Sequence, residues 1–158
     1  MNHNKIILIT NVPAPYRAKQ YDIIGKSLGK KFFIIYTKND FSTTKLNWDR
    51  PKLEHQHFFL KENSSSNTKI TIRLFNLLKE NDPEIVITSG FNLLMITSFI
   101  YSKLFKKKHI VFTDSWLLPV NQLSWLNRII RLIVIKNSAG FICVGKKGRE
   151  YLIKYGAN

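Results

Sequence analysis

The sequence predicts a single doubly wound α/β domain: a mostly parallel sheet with helices on both faces. Three observations predict it. Short apolar runs rich in β-branched residues alternate with longer segments of helical periodicity along most of the chain. The strand runs are continuously apolar, as in strands buried on both faces, where alternation is not required. Strand-to-helix passages fall at Asn11, Ser89, Asp114 and Gly145, residue types that suit turns and caps. A length of 158 residues fits one domain spanning residues 1–158, with enough core to fold.

The first strand is Lys5 to Thr10. Pro13 and Pro15 then fix φ twice and remove two donors, so Asn11 to Tyr16 is expected as an ordered loop at that strand's carboxyl end. Tyr16 and Arg17 add an aromatic face and a planar fork of donors, a combination suited to sugar and phosphate. Arg17 to Leu28 spaces Tyr21, Ile24 and Leu28 as a helix, with Gly29 as its stop. Lys31 to Tyr36 is the second strand. Thr37 to Lys52 has no periodicity and reads as a long loop in which Trp48 either covers a sugar or lipid surface or pins the loop down. Glu54 to Leu60 is expected as a third strand at an edge. Its His55 and His57 have no cysteine or third ligand nearby, which makes them surface residues, not a metal site.

Lys61 to Lys69 reads as a flexible connection. Ile70 to Asn81 carries apolar residues at 70, 74, 77 and 78, the spacing of a helix packed on a sheet. Ile85 to Thr88 is the fourth strand, followed by the turn Ser89-Gly90-Phe91-Asn92 with Asn92 as N-cap of a helix to about Phe105. Gly90 would let a ligand approach the backbone. His109 to Thr113 is the fifth strand and delivers Asp114-Ser115-Trp116. Gln122 to Asn137 is a helix, Gly140 to Val144 the sixth strand, and Gly145 turns into a helix from Lys146 to Tyr155. The expectation is a doubly wound sheet with right-handed crossovers in the strand order 3-2-1-4-5-6, with all four turns opening on one edge, where ligands sit in such sheets.

The formal net charge is +15. From Ile85 onward 11 Lys and Arg stand against 2 acids, +9 over 74 residues. Such a half-molecule attracts polyanions: an anionic bilayer, nucleic acid or phosphorylated substrates. No recognisable nucleic-acid motif is present, which disfavours that partner. No G-x-G-x-x-G follows the first strand and no Walker A lysine motif occurs, which argues against dinucleotide and P-loop enzymes. The lone Cys143 excludes an internal disulfide. Polar residues interrupt the most apolar region, Ile85 to Phe105, so no membrane span is expected and the default compartment is the cytoplasm. No metal site is expected.

With these residues in place, the chain resembles the N-terminal, acceptor-side domain of a GT-B glycosyltransferase of family 4, the group 1 transferases of bacterial polysaccharide synthesis. The resemblance rests on Lys5 to Arg17, Asp82-Pro83-Glu84-Ile85-Val86-Ile87, Ser89-Gly90-Phe91-Asn92, Ile110-Val111-Phe112-Thr113-Asp114-Ser115, and Val144-Gly145-Lys146 with Glu150-Tyr151-Leu152. It implies a Rossmann-like domain facing a second one that binds a nucleotide-sugar, with transfer of the sugar in the cleft between them and retention of anomeric configuration.

The substrate-binding set expected at the strand ends is Asn11, Tyr16, Arg17, Ser89, Gly90, Asn92, Ser115 and Gly145. Asp114 stands where many members carry a histidine; a carboxylate there either accepts a hydrogen bond from a sugar hydroxyl or serves as a turn residue. Pro13-Ala14-Pro15 replaces the paired glycines that many members have in the first loop. The chain stops near the expected interdomain linker, so the donor-binding domain is expected on a further piece or on a separate subunit, as in the two-subunit N-acetylglucosaminyltransferase of lipid-linked oligosaccharide synthesis. The cofactor expectation is none for this chain alone, with a nucleotide-sugar donor in the complete enzyme. The acceptor expectation is a polyprenyl-diphosphate-linked or other glycan at an anionic membrane, which a patch of Trp116, Trp125, Arg128 and Arg131 could meet. On the helix from Gln122, Leu126, Ile129, Ile130 and Ile133 form a stripe suited either to the core or to docking. The competing expectation is a non-enzymatic basic binding module for anionic membrane or nucleic acid.

Overall fold

A computed structural model describes residues 5–38, 51–60, 66–114 and 123–158. Six strands form one parallel sheet: β1 (Ile6–Thr10), β2 (Phe32–Tyr36), β3 (His57–Phe59), β4 (Ile85–Ser89), β5 (Lys108–Thr113) and β6 (Gly140–Cys143). Their spatial order is β3-β2-β1-β4-β5-β6, every adjacent pair running parallel. The helices are α1 (Pro15–Leu28), α2 (Asn67–Asn81), α3 (Leu93–Leu104), α4 (Trp125–Lys136) and α5 (Gly145–Lys154).

The two faces of the sheet follow from the period-two alternation of β1. Ile7 and Ile9 pack with Ile35, Val86, Leu74 and Leu78 of α2, and Met95 and Tyr101 of α3. Leu8 points the other way and packs with Ile34, Tyr36 and Tyr21 of α1. Farther along the first face, Val111 meets Phe99 of α3, Val134 and Ile135 of α4, and Tyr151 and Leu152 of α5. Right-handed crossovers account for this division. The β1–β2 crossover moves one way across the sheet and puts α1 on one face; the crossovers toward β6 move the other way and place their helices opposite.

Several element boundaries differ from expectation, each for a local reason. Pro15 does not lie in a loop but opens α1, because at the first helical position its missing N–H has no intrahelical acceptor to lose. The buried face of α1 is Arg17, Ala18 and Tyr21, whereas Ile24 and Leu28 are exposed. Helix α4 begins at Trp125, with the Ser124 side chain accepting from Asn127 N–H. Strand β3 is three residues long, not seven.

His55 is not a surface residue. It is buried, with its side chain fully enclosed. Its Nδ1 lies 2.5 Å from Asp22 Oδ1 of α1 and its Nε2 2.9 Å from the Tyr36 hydroxyl of β2. Asp22 Oδ1 also accepts from the backbone N–H groups of Glu54 (2.9 Å) and His55 (3.0 Å). Burial lowers the His55 pKa despite Asp22, and the hydrogen bonds lower that of Asp22 despite its partial desolvation. A four-membered polar knot thus fastens the approach to β3 onto α1. His57 sends its Nδ1 to the His55 carbonyl at 2.8 Å.

Gly25 makes that contact possible, since a Cβ there would sit 2.9 Å from His55 Cβ. Alanine improves helix propensity by at most about 1 kcal/mol. The overlap is with an atom fixed to backbone, so it cannot be relieved by a rotamer change. Gly25→Ala is therefore expected to destabilise the domain by about 1–2 kcal/mol net, read as a lower urea midpoint; an unchanged or higher midpoint would show that this contact yields freely.

Candidate functional site

The carboxyl ends of four strands converge on one cavity of about 630 Å³, a size suited to a small polar ligand. It lies where β1 is flanked by β2 on one side and β4 on the other, the point at which the strand order reverses and crevices open in such sheets. Its wall is made of Thr10 and Asn11 at the end of β1, Thr37 and Lys38 after β2, Ser89 and Gly90 at the end of β4, and Thr113 and Asp114 at the end of β5. Ala14, Tyr16 and Arg17 of the α1 entry, Asn92, Leu93 and Leu94 of the α3 entry, and Asn67 and Ile70 of α2 close it.

Asn11 joins three of these elements. Its carbonyl accepts from Lys38 N–H at 3.0 Å. Asn92 caps α3 by accepting from Met95 N–H at 3.1 Å through Oδ1, which leaves its Nδ2 to donate to Asn11 Oδ1 at 3.0 Å. That chain of roles fixes the amide orientations of both residues. Thr37 N–H donates to the Thr10 carbonyl at 2.8 Å, holding the ends of β1 and β2 together. Gly90 has φ 106°, a region closed to other residues except at a strain cost. A Cβ there would meet nothing within 4 Å, so backbone conformation and not steric closeness demands the glycine.

The charged centre is Arg17 with Asp114. Arg17 Nη2 donates to Asp114 Oδ2 at 2.8 Å; the Arg17 side chain is 10% exposed and that of Asp114 57%. The guanidinium lies over the Phe112 ring, 4.3 Å from its centroid, and 5.5 Å from that of Tyr16. Stacking of this kind suits a planar, weakly hydrated cation. Burial opposes the Arg17 charge, but the Tyr16 and Tyr21 hydroxyls and the Asp114 carboxylate outweigh it and raise its pKa. Arg17 is therefore a fixed cation in the cavity wall, and its counter-ion faces solvent.

The structure thus gathers Asn11, Tyr16, Arg17, Ser89, Gly90, Asn92 and Asp114 around one cavity. Gly145 stands apart from that wall, with φ 69° at the start of α5. Ser115 and Trp116, like Trp48, lie outside the described residues. Trp125 is 72% exposed at the first position of α4. Arg131 turns inward: its Nε donates to the Tyr151 hydroxyl at 2.8 Å and its guanidinium lies 4.9 Å from the Phe91 ring centroid. Arg128 sits half-buried on the same helix. Among the described residues, no group of three or more His, Cys, Asp or Glu side chains could hold a metal ion, and no helix is long and apolar enough to cross a membrane.

Sequence reasoning did not single out Thr10, Thr37, Lys38 and Thr113. Their signal was present, since Thr10 and Thr113 end parallel strands and Thr37 and Lys38 are the two residues after β2. Asn67 and Ile70 carried no such signal. They reach the cavity because α2 crosses from β3 to β4 over the sheet.

No protein-family model and no curated protein sequence matches the chain. Solved structures do. A UDP-GlcNAc 2-epimerase from Methanocaldococcus jannaschii superposes with TM-score 0.61 at 14% identity over 98% of this chain and 43% of its own. Anabaena HepE in complex with UDP and glucose gives TM-score 0.65 at 12% identity, covering 99% of this chain and 42% of the other. MurG from Acinetobacter baumannii gives 0.56 at 7% identity over 92% and 42%. The chain spans less than half the length of these structures, and its fold is that of one Rossmann-like half of GT-B proteins.

Proposed function

We propose that this chain is the acceptor-binding half of a retaining, nucleotide-sugar-dependent glycosyltransferase of cell-surface polysaccharide or glycolipid synthesis, working opposite a donor-binding domain. The observation that carries this reading is the cavity at the point of strand-order reversal, with hydroxyl, amide and charged side chains in its wall, in a fold shared with proteins solved as UDP complexes. Its hydroxyls and amides suit a glycan, with Asn11 and Asn92 cross-braced so that little reorganises on binding. Transfer requires donor and acceptor in near-attack geometry, so activity needs the second domain. Asp114, exposed at the β5 end, accepts the hydrogen bond of the attacking acceptor hydroxyl. Incubation of the chain plus its donor-binding domain with nucleotide-sugars and lipid-linked or glycan acceptors tests this; sugar transfer is expected, and binding of neither sugar nor nucleotide-sugar would overturn it.

A second reading, one half of a nucleotide-sugar epimerase, is favoured by the several UDP-GlcNAc 2-epimerases among the matched structures. It predicts an altered sugar still attached to its nucleotide, with no acceptor needed.

The acceptor is expected at an anionic membrane, with the protein peripheral on its inner face. Trp125, Leu126, Ile129, Leu132 and Ile133 of α4 are all more than 40% exposed, and the helix has Arg128, Arg131 and Lys136 but no acid. Of the stripe suited either to the core or to docking, Leu126, Ile129 and Ile133 face outward and Ile130 packs on the core, where Val134 and Ile135 are buried. An outward apolar face beside basic residues fits a lipid headgroup layer. Trp125→Ser is expected to weaken co-sedimentation with phosphatidylglycerol vesicles about tenfold, the worth of one buried aromatic side chain. Equal binding of both proteins would remove α4 from the membrane contact.

A further inference from the structure

We propose that the cavity contains an anion subsite built on Arg17 and Lys38, in which the Asp114 carboxylate is a resident counter-ion that a phosphate or carboxylate of the ligand displaces. The inference rests on the reading of this cavity as a glycan site and adds the chemical class of the ligand: an anionic sugar or sugar-linked phosphate, not a neutral one.

Charge is the first argument. Among the described residues, the charged side chains of the cavity wall are Arg17, Lys38 and Asp114, two cations against one anion. A neutral glycan would leave that surplus without a partner, whereas one anionic group balances it. Geometry is the second. Arg17 is nine-tenths enclosed and fixed by its stacking on Phe112, while its acid partner is largely in water. Exchange is therefore asymmetric: the cation stays in place, and the carboxylate can turn to solvent at little cost. A guanidinium presents five donors in one plane and matches phosphate or carboxylate with two parallel bonds. The Asp114 contact, Nη2 to Oδ2, uses one edge position of that fork. Displacement has a functional consequence, because the freed carboxylate is then available to the acceptor hydroxyl beside it.

Titration calorimetry on the full chain at low salt, with pyrophosphate, glucuronic acid and glucose as probes, tests the subsite. Pyrophosphate or glucuronate is expected to bind at least tenfold tighter than glucose; which of the two binds tells whether a phosphate or an acidic sugar is the natural source. Asp114→Asn removes the competing charge and is expected to tighten anion binding about fivefold. Lys38→Gln, on an exposed side chain that carries no fold, is expected to weaken it about as much. Anion binding unchanged in both variants, or weakened by Asp114→Asn, would overturn the subsite. If glucose binds as well as either anion and Asn11→Ala abolishes it, the glycan site stands and the anion subsite falls. If no probe binds, or Asn11→Ala changes nothing, the glycan site falls with it.

Discussion

Replacing Arg17 with alanine is expected to lower kcat/KM of the chain paired with its donor-binding domain by about a hundredfold. The side chain does three things at once. It lies on Phe112, pairs with Asp114 across the cavity and stands beside the Tyr16 and Tyr21 hydroxyls. Alanine removes the only buried cation of the cavity wall among the described residues and leaves Asp114 without its anchor. Loss of positioning of this order is what a displacement of about an ångström costs at a reacting centre. Arg17→Lys keeps the charge but not the planar fork, so it should recover part of the loss. A kcat/KM within about threefold of wild type for Arg17→Ala would take Arg17 out of the site, since that difference is under 1 kcal/mol.

Acid is expected to destabilise the domain through His109, and His109→Gln is expected to remove most of that effect. His109 on β5 is buried. Its Nδ1 lies 2.8 Å from Ser138 Oγ and its Nε2 3.0 Å from Thr88 Oγ1. Ser138 Oγ donates to the Val134 carbonyl at 2.7 Å, so it accepts from Nδ1–H, and Nε2 accepts from the Thr88 hydroxyl. The neutral ring is satisfied at both nitrogens. Burial, with Lys103 nearby, lowers its pKa from 6.5 to about 4. The unfolded chain therefore takes up the proton first as pH falls. The contribution is complete above pH 6.5, declines between 6.5 and about 4, and is level below that. At about 1.4 kcal/mol for each tenfold change, the loss is about 3 kcal/mol.

His55, also held below its ordinary value by burial, adds a loss of the same sign, and Asp22 a further one at lower pH. These remain in the His109→Gln variant, so comparison of the two proteins isolates His109. Glutamine keeps a donor and an acceptor but not the ring, at a cost of about 1–2 kcal/mol at neutral pH. Urea unfolding across pH should show the two stability curves converging from pH 6.5 downward and crossing before about pH 4. Parallel curves would mean that His109 titrates normally.

The sheet was legible from sequence because its signal is redundant. Continuous apolar runs and the turn residues after each mark the strands, and a doubly wound sheet with right-handed crossovers agrees with the order that is observed. The first cavity wall was legible too, because Asn11, Ser89, Asn92 and Asp114 each follow or end a strand and sit at its carboxyl edge. What sequence could not give was distance between elements. The Arg17 to Asp114 pair joins residues 97 apart in the chain, and either residue alone reads as a helix-entry cation or a turn acid. The burial of His55 between Asp22 and Tyr36 is hidden from sequence for the same reason. Histidines spaced by two look like one strand face, and only the closeness of α1 through Gly25 shows that His55 is enclosed. Arg131 shows the converse, since a basic residue on an amphipathic helix reads as solvent-facing until Tyr151 and Phe91 are seen beneath it.

The measurement that tests the account most directly is transfer of label from radiolabelled nucleotide-sugars into the lipid-extractable and polymer fractions of membranes, catalysed by this chain with its donor-binding domain. The account predicts that one nucleotide-sugar labels an acceptor, that Arg17→Ala lowers the labelling rate about a hundredfold and Asn11→Ala lowers it as well, and that both variants still sediment with vesicles. Label that stays on the nucleotide with its sugar converted to an epimer would contradict it, as would acceptor labelling that both substitutions leave intact.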